Sequence, residues 1–466
     1  MTSKSLLDSI LGRSSASSSA GSWLRTTAVA GLLGGVGVAL FAPACGSNAG
    51  DPMMGAGGTP MPGGTGGTTG TPDGGGGPGD PTPDANDPVE PEVQATACPV
   101  FTPFQLSPQG TDGAQPAIIW TGTQYLAVWS GAPAGMGASS SNIVGAFLNP
   151  DGSRVAGAAD LEIADTPNLA TSPELTKMAT AAGAPESYAV VFENCEGTGV
   201  DPCAGGTSVV SVVLGADGLA KGAPITLSPT APVQRRPYVA SGLGNTYVTF
   251  RDRAAGPAGP RTVARLGRLD DTGALVGTGL AIDEASDGHY PFVAVGPERV
   301  ALAYQRNKVT PEIVLALFDP TLAPFKEIAV RTGLPSDATN PVVQWNTNRW
   351  VIAWEDERED EAKIYATVVD PDGATAGVPE AAYQNNGNWP AVASSSDGTS
   401  LIGFYGYPGR RVFLARVQAN GMLKPGQVVL GVGKFPSVAY NSQASEYAVV
   451  YENENRVMFA RFKCAD

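Results

Sequence analysis

The amino-acid sequence predicts an all-β fold, namely a seven-bladed β-propeller of four-stranded blades. The first observation behind this prediction is a proline before an apolar pair or run, which recurs at intervals of 46 to 64 residues. The seven prolines are Pro116, Pro173, Pro237, Pro291, Pro341, Pro390 and Pro436. Such an interval suits four short strands with their turns. Seven repeats lie within the four to eight blades that propellers usually have.

The second observation is a short apolar run in every repeat that ends in an aromatic residue. The runs are YLAVW at 125–129, YAVVF at 188–192, YVTF at 247–250, VALAY at 300–304, WVIAW at 350–354, LIGFY at 401–405 and YAVVY at 447–451. Aromatic and β-branched residues in such a run indicate a strand covered on both faces. We therefore expect these aromatic side chains to pack between neighbouring blades.

The third observation is a turn signal after the third strand of most repeats. Asp-Gly or Asn-Gly pairs occur at 151–152, 217–218, 372–373 and 420–421, and each places a glycine where a hairpin needs a positive φ. Asp271-Thr272-Gly273 is a looser copy, and the fourth repeat has Asp319-Pro320 without a glycine. One acid per turn is too few for a calcium loop, so these segments are predicted to be turns only.

Residues 1–44 are predicted to be an export signal peptide. Basic residues precede an apolar, glycine-rich run at 28–41, and the small residues Ala42-Pro43-Ala44 then precede Cys45. The apolar run is shorter than the roughly 20 residues of a membrane-spanning helix.

Cys45 is the predicted lipidation site. A small-residue tripeptide followed by cysteine resembles the bacterial lipobox, in which the cysteine is diacylated and becomes the mature N-terminus. This sequence departs from that pattern by having Ala42 at the first position and Pro43 at the second. Ordinary signal cleavage after Ala44 is the alternative. The lipid anchor would bind the protein to a membrane of the cell envelope, at the outer membrane or the cell surface.

Residues 45–96 are predicted to form a disordered linker behind the lipid anchor. Fifteen of the 35 residues from 46 to 80 are glycine, interleaved with proline, threonine and aspartate. This composition buries too little apolar surface to offset the entropy of ordering. A Gly-rich chain of this length reaches on the order of 40 Å. The segment is either a spacer of selected length or a tolerated expansion.

Residues 97–466 are predicted to form the propeller, and its closure follows from an incomplete last repeat. The seventh repeat lacks a fourth strand, whereas an unpaired strand at 98–106 precedes the first repeat. Pairing the two would remove exposed sheet edges and bring Cys98 to Cys464. Cys195 and Cys203 would then bridge within one loop, so that all five cysteines have a role if Cys45 is acylated.

The repeats resemble those of exported bacterial β-propeller lipoproteins, in which P-x-V, Y-x-V-x-W, a charged loop and a D-G turn recur at about 50-residue intervals. The resemblance covers roughly residues 98–464 and is strongest at 340–373. It implies a surface-exposed propeller, often tethered through a lipidated cysteine. No catalytic residue is carried over with it.

Composition excludes several function classes. The net charge of −15 argues against a nucleic-acid partner, because phosphate binding needs clustered lysines and arginines. The single histidine, His289, excludes zinc sites with several histidines. Neither a phosphate-binding loop nor a dinucleotide fingerprint is present, so no cofactor and no metal are expected. The sequence carries no signal for a particular oligomeric state.

Loops that lead into the first strands and loops that join second to third strands should meet on one face of a propeller, around the central channel. Their polar and aromatic residues are the candidate ligand-binding residues: Arg236, Arg251, Asp252, His289, Tyr290, Arg306, Asn388, Trp389, Tyr405, Tyr407 and Arg410. Aromatic faces, amides and guanidinium groups suit a sugar or a peptide. The alternative is a merely hydrophilic loop surface.

Two functions of different classes remain. The favoured one is a non-catalytic binding or scaffolding module for a glycan, a peptide or an envelope protein. The other is a propeller enzyme, of the glycosidase or lyase type, with acid and base among Asp252, Asp287, Glu355 and Asp356. A glycosidase needs two carboxyl groups about 5–10 Å apart across a cleft.

Overall fold

The computed structural model describes residues 98–464 apart from short stretches. Those stretches are 110, 133–140, 157–159, 167, 182, 197–202, 204, 232–234, 257–258, 283–286, 308–309, 333–337, 358–361, 375, 378–379, 384–386, 407–408 and 425–427. The signal peptide, Cys45 and the linker predicted above lie outside the described residues.

All regular secondary structure of the described residues is β, and the strands form seven four-stranded sheets. Blade 1 comprises β2 (Asp112–Trp120), β3 (Tyr125–Ala132), β4 (Asn142–Leu148) and β5 (Leu161–Ala164). Blade 2 comprises β6 (Leu169–Lys177), β7 (Ser187–Cys195), β8 (Thr207–Gly215) and β9 (Ile225–Ala231). Blade 3 comprises β10 (Tyr238–Gly242), β11 (Asn245–Gly256), β12 (Gly259–Leu269) and β13 (Leu280–Ile282).

Blade 4 comprises β14 (Asp287–Val295), β15 (Val300–Asn307), β16 (Pro311–Phe318) and β17 (Pro324–Arg331). Blade 5 comprises β18 (Thr339–Trp345), β19 (Trp350–Asp356), β20 (Lys363–Val369) and β21 (Glu380–Tyr383). Blade 6 comprises β22 (Gly387–Ser394), β23 (Ser400–Gly406), β24 (Arg411–Val417) and β25 (Val428–Val432). Blade 7 comprises β26 (Lys434–Asn441), β27 (Glu446–Asn453), β28 (Arg456–Phe462) and β1 (Phe104–Gln105).

This arrangement confirms the predicted seven-bladed propeller. Within blades 1 to 6 the strands lie in chain order, each antiparallel to the next, and the first strand of each blade is innermost. No helix of the described residues is long and apolar enough to cross a membrane.

Blade 7 is completed by the N-terminal strand. β1 pairs antiparallel with β28, with Phe104 opposite Phe459, and an isolated bridge joins Val100 to Phe462. The strand predicted over 98–106 is paired regularly over two residues only. Pro99 and Pro103 have no N–H to donate to the ladder, which explains the interruption.

Both predicted disulfides are present. Cys98 is bonded to Cys464, which links the two ends of the described chain across 366 residues of sequence. Cys195 is bonded to Cys203 and staples the loop between β7 and β8.

The second strand of each blade forms the centre of the core. Trp350 and Trp354 on β19 are almost completely buried and pack in one cluster with Leu315 and Leu317 of blade 4. The clusters elsewhere in the ring likewise combine residues of neighbouring blades. The prediction that these aromatic residues pack between blades is confirmed, and the side chains are therefore unavailable to a ligand.

In blades 1 to 6 the turn after the third strand packs against the preceding blade. Gly152, Gly218, Gly273, Gly373 and Gly421 all have positive φ, and a Cβ added at each would come within 3 Å of a side chain in the preceding blade. In blade 4, where the sequence lacks this glycine, Leu322 takes the position with a φ of 72°.

A substitution at Gly152 can test the two requirements, namely a positive φ and close packing against the preceding blade. Its φ is +85°, and a Cβ there would lie 2.5 Å from Cε1 of Phe459. Gly183 has nearly the same φ, +82°, but a Cβ there would meet nothing within 4 Å. We expect Gly183→Ala to cost about 1 kcal/mol from backbone strain and Gly152→Ala about 2–4 kcal/mol, because the steric clash is added. Urea denaturation measures both, and equal losses would show that the contact with Phe459 has no energetic weight.

Candidate functional site: the channel mouth

The repeat prolines lie within an irregularity of the first strands. In every blade but the third, the first strand begins before its proline, and the register to the second strand shifts around it. The expectation that the prolines stand in front of the strands is wrong for these six blades. The proline lacks an N–H, so the ladder is interrupted at this point and a bulge can form.

The residue before each proline adopts a left-handed backbone conformation in all seven blades. These residues, here called the mouth ring, are Gln115, Ser172, Arg236, Tyr290, Asn340, Trp389 and Phe435, and their φ angles lie between 46° and 55°. Five of them line a cavity of about 350 Å³ enclosed by the inner strands. The cavity is the central channel, and the ring surrounds it.

Glutamates of the preceding blade stabilise this conformation. The backbone N–H of Arg236 donates to Oε1 of Glu193 at 2.8 Å, that of Gln115 donates to Oε2 of Glu452 at 3.3 Å, and that of Trp389 donates to Oε1 of Glu355. Each glutamate follows directly after the aromatic end of a second strand. The aromatic-Glu pair recurs in three repeats, and this unpredicted pair is the sequence signal of the anchoring residue.

Side chains alternate between the two faces of a strand, and this alternation determines which residues after the aromatic position contact the mouth ring. Glu193, Arg251 and Glu355 stand one position after the aromatic residue and contact the ring. Asp252, Arg306 and Asp356 stand two positions after it, so they point to the opposite face of the strand. These three form ion pairs with other side chains of the blades.

Five predicted residues come together at the mouth. The guanidinium carbon of Arg236 lies 3.9 Å from the centre of the Trp389 ring and 5.8 Å from that of Tyr290. The guanidinium carbon of Arg251 lies 5.0 Å from the Tyr290 ring centre, and its Nη2 lies 2.9 Å from Nδ1 of His289. We call Arg236, Arg251, His289, Tyr290 and Trp389 the mouth cluster. It presents two cations on aromatic faces.

His289 adds no charge to the cluster at neutral pH. Burial lowers the pKa of its imidazole to about 4, and the positive charge of Arg251 acts in the same direction. Since Arg251 donates to Nδ1, the neutral ring has its proton on Nε2.

The titration of His289 can be measured cleanly, because it is the single histidine of the sequence. We expect its imidazole proton resonances to shift with a midpoint near pH 4 in an NMR titration. Arg251→Met should raise the midpoint, because it removes a neighbouring cation, whereas Arg349→Met on the distant β18–β19 turn should not. A wild-type midpoint near 6.5 would show that His289 is solvated and not held in the cluster.

The other predicted residues lie elsewhere. Arg306 pairs with Glu312 at 2.9 Å and with Glu327 of β17. Asp252 accepts from the buried Arg235 at 2.6 Å and from Arg265 at 2.7 Å. Burial opposes the ionisation of Asp252, but these hydrogen bonds outweigh it and lower the pKa of its carboxyl.

Blade 6 carries the remaining candidates. The Tyr405 ring is buried and lies 5.9 Å from that of Phe435, which contacts Trp389 edge-on at 5.3 Å. Asn388 pairs with Tyr405 across β22 and β23. Arg410 is exposed, and its carbonyl accepts from the N–H of Gly433. Tyr407 lies outside the described residues.

Three of the four carboxylates proposed for catalysis are bound by protein groups. Asp252 is ion-paired as described. Asp356 is fully buried and accepts from Nε of Arg331 and from Nε1 of Trp354, both at 3.2 Å. Glu355 accepts from the N–H of Trp389 and from Nδ2 of Asn340 at 2.9 Å. The side chain of Asp287 lies outside the described residues.

Glu355 differs from Asp252 in its ionisation. Burial raises the pKa of its carboxyl to about 7, although the Trp389 N–H, Asn340 and the charge of Arg236 act in the opposite direction. Among the described residues, no group of three histidine, cysteine or acidic side chains is arranged to hold a metal ion.

Comparisons with known proteins find only distant structural similarity. No family model matches the chain, and no curated protein matches its sequence. A sialidase of Trypanosoma rangeli is similar in structure with a TM-score of 0.41 and 9% identity, over 79% of this chain and 60% of the sialidase. The chain thus spans less than two thirds of that protein. A polysaccharide lyase described as an ulvan lyase has a TM-score of 0.48 and 8% identity, over 76% of this chain and 95% of the lyase. Likenesses this distant carry no argument about function.

Proposed function

We propose that the propeller is a non-catalytic binding module that recognises a glycan at the channel mouth. The observation that carries this proposal is the mouth cluster on a ring of strained backbone. Left-handed φ is costly for large side chains, and Asn or Gly would fill such positions more cheaply. Arg236, Tyr290, Trp389 and Phe435 nevertheless occupy four of the seven places. Strain of this kind concentrates at ligand sites.

The chemistry of the cluster favours a sugar. Aromatic rings stack on the apolar faces of sugar rings, and guanidinium groups donate several hydrogen bonds in a fixed geometry to hydroxyl, carboxylate or sulfate oxygens. A peptide or an envelope protein with acidic side chains would use the same groups, and these partners are the alternatives within the same binding function.

Screening the purified protein on glycan and acidic-peptide arrays tests the proposal. We expect glycan binding that is lost in Trp389→Ala and weakened at least tenfold in Arg236→Gln, because each removes one half of the stacked pair. Arg299→Gln is the matched control, since Arg299 also stacks on an aromatic ring, that of Phe325, but does so outside the channel. Equal binding by Trp389→Ala and wild type would overturn the proposal, and binding to peptides alone would move it to a protein partner.

A second function, a propeller enzyme of the glycosidase or lyase type, is favoured by one observation. A carboxyl with a pKa of about 7, such as that of Glu355, suits a general acid. Glu355→Gln keeps the acceptor for the Trp389 N–H and loses the proton. If a glycan is bound, incubation with wild type and with this variant separates the functions. Cleavage by wild type only would establish the enzyme, whereas binding by both without cleavage supports the module.

The location at the cell envelope is also a proposal. The two disulfides are consistent with an exported protein, since such bonds persist in oxidising compartments. Lipidation at Cys45 and attachment to the outer membrane would follow from the lipobox-like segment. Metabolic labelling with a clickable fatty acid should mark the wild type and not Cys45→Ala. Absence of label in the wild type would favour ordinary cleavage after Ala44.

A further inference from the structure

One residue on the inner strands breaks a pattern that the other blades share. The position directly after the repeat proline is occupied by Ala117, Glu174, Tyr238, Phe292, Val342, Ala391 and Ser437. Six of these are apolar, aromatic or small. Glu174 is the exception, and it is the only acidic side chain on the described walls of the channel cavity.

The carboxyl of Glu174 has no compensating partner. Burial alone raises its pKa to about 8, with no contribution from a hydrogen bond or a nearby charge. The side chain is half-buried on the channel wall. A carboxyl that loses water without gaining a partner destabilises the fold, so a protein that only needed a closed ring would gain by having alanine or valine there. Perturbed and unpartnered groups in a cavity are typical of binding sites.

Two aromatic rings stand beside it on the next blades. The Tyr238 and Phe292 rings lie 4.4 Å apart between centres, at an angle of 42°, and both line the same cavity as Glu174. Burial raises the pKa of the Tyr238 hydroxyl, and the charge of Glu174 adds to this effect. Glu174 and Tyr238 stand at equivalent positions on β6 and β10 of neighbouring blades and line the same cavity. The remaining walls include Ile118, Ile119 and Val293, which are apolar.

We propose that the channel below the mouth ring binds an organic ammonium group, held between the Glu174 carboxyl and the rings of Tyr238 and Phe292. A cation over aromatic faces beside a carboxylate is a favourable combination where water is excluded, and an alkyl stem fits the apolar walls. The inference deepens the proposed function by naming one chemical group of the ligand, and it rests on that function only in that the ligand enters through the same mouth.

Binding of an alkylammonium ion to the channel releases one proton to solvent. In the empty channel at neutral pH the carboxyl is mostly protonated. An alkylammonium ion that enters stabilises the carboxylate, so the carboxyl proton leaves to solvent while the ammonium keeps its own protons. The other ionisable groups on these walls are Arg236 and Tyr238, and Glu193 and Glu355 lie close enough to influence Tyr238. Tyr238 stays neutral over this range, whereas Glu355, whose pKa is about 7, titrates within it. Loss of the pH dependence in Glu174→Gln is therefore the result that assigns it to Glu174.

Titration calorimetry of the purified protein with n-butylammonium and with its neutral analogue 1-butanol tests the proposal. We expect butylammonium to bind at least tenfold more tightly than butanol at about pH 8. Below pH 8, the affinity for butylammonium should increase by up to tenfold for each unit by which the pH is raised. Titrations in buffers of different ionisation enthalpy should show proton release near pH 7. Binding of butanol as tight as that of butylammonium, or no measurable binding of either, would overturn the inference.

Variants separate this site from the mouth. Glu174→Gln should lose both the preference for the cation and its pH dependence, and it should fold normally because the amide has the shape of the protonated acid. Glu298→Gln removes the same charge from an exposed turn and should change nothing. Tyr238→Phe, a second channel variant, should weaken butylammonium binding by less than Glu174→Gln. Unchanged affinity in Glu174→Gln would refute the assignment.

Failure of the inference can be told from failure of the proposed function. Glycan binding on the array and butylammonium binding by calorimetry are separate measurements on the wild-type protein, so either can fail alone. If the protein binds no glycan on the array but still binds butylammonium through Glu174, the proposed channel site stands and the proposed function of the mouth fails. The reverse result would retain the mouth function alone.

Discussion

Removal of the disulfide between Cys98 and Cys464 is expected to lower the free energy of unfolding by about 5–6 kcal/mol. The bond closes a loop of 366 residues, and the chain-entropy relation predicts a loss of this size when so long a loop is opened in the unfolded state. The bond acts on the unfolded chain, whose conformational freedom it restricts. In the folded protein β1 pairs with β28, and the N–H groups of Phe101 and Leu106 donate to the carbonyls of Arg461 and Val457.

The double variant Cys98→Ala/Cys464→Ala, unfolded in urea beside the wild type, measures this loss. The matched control is Cys195→Ala/Cys203→Ala, whose bond spans a sequence separation of 8 and is expected to be worth about 2–3 kcal/mol in the same relation. A smaller loss for the ring-closing pair than for the loop pair would show that the blade-7 contacts close the ring without the covalent bond.

Replacement of Arg235 by leucine is expected to cost about 3–5 kcal/mol. The side chain is 1% exposed and donates to the carbonyl oxygens of Thr207 and Arg251, at 3.1 and 3.0 Å, and to that of Pro229. It also pairs with the carboxylate of Asp252 at 2.6 Å. Leucine would leave buried carbonyls without donors and one carboxylate with a single cation, and losses of this kind are among the largest that one substitution produces.

Arg265→Leu is the control, because Arg265 pairs with the same carboxylate at 2.7 Å but is 18% exposed and makes fewer contacts with buried groups. We expect it to cost about 1–2 kcal/mol. Chemical denaturation compares the two, and equal costs would contradict the view that the carbonyl contacts of Arg235 carry the stability. Since Arg235 precedes Arg236, its loss should also weaken ligand binding at the mouth.

The propeller could be predicted because its signals are local and repeated. An aromatic run such as that at 350–354 indicates a buried strand by itself, and seven copies at similar spacing indicate the ring. The pairing of Cys98 with Cys464 followed from the missing strand of the last repeat. The length of β1 did not, because Pro99 and Pro103 interrupt a segment whose hydrophobicity suggested a continuous strand.

The backbone of the mouth could not be predicted, because contacts distant in sequence determine it. The left-handed conformation of Gln115 is stabilised by Glu452, which is 337 residues away. Arg236, Tyr290 and Trp389 each precede a repeat proline, and this shared position brings them together at the mouth. Arg306 was placed with them because the alternation of side chains after the aromatic residue was not applied. Tyr304 is followed by Gln305 on one face and Arg306 on the other.

The hydrogen bonds that hold the mouth ring have a consequence for how such a protein can diversify. Glu193, Glu355 and Glu452 bind the main-chain N–H of the ring residues, so they are indifferent to which side chain that residue carries. A substitution at Gln115, Arg236 or Trp389 keeps its anchor, as long as the new residue is neither proline, which has no N–H, nor β-branched, which the left-handed φ disfavours. The propeller thereby offers variable positions around one opening. Selection or a designed library can change ligand preference at these positions without changing the fold.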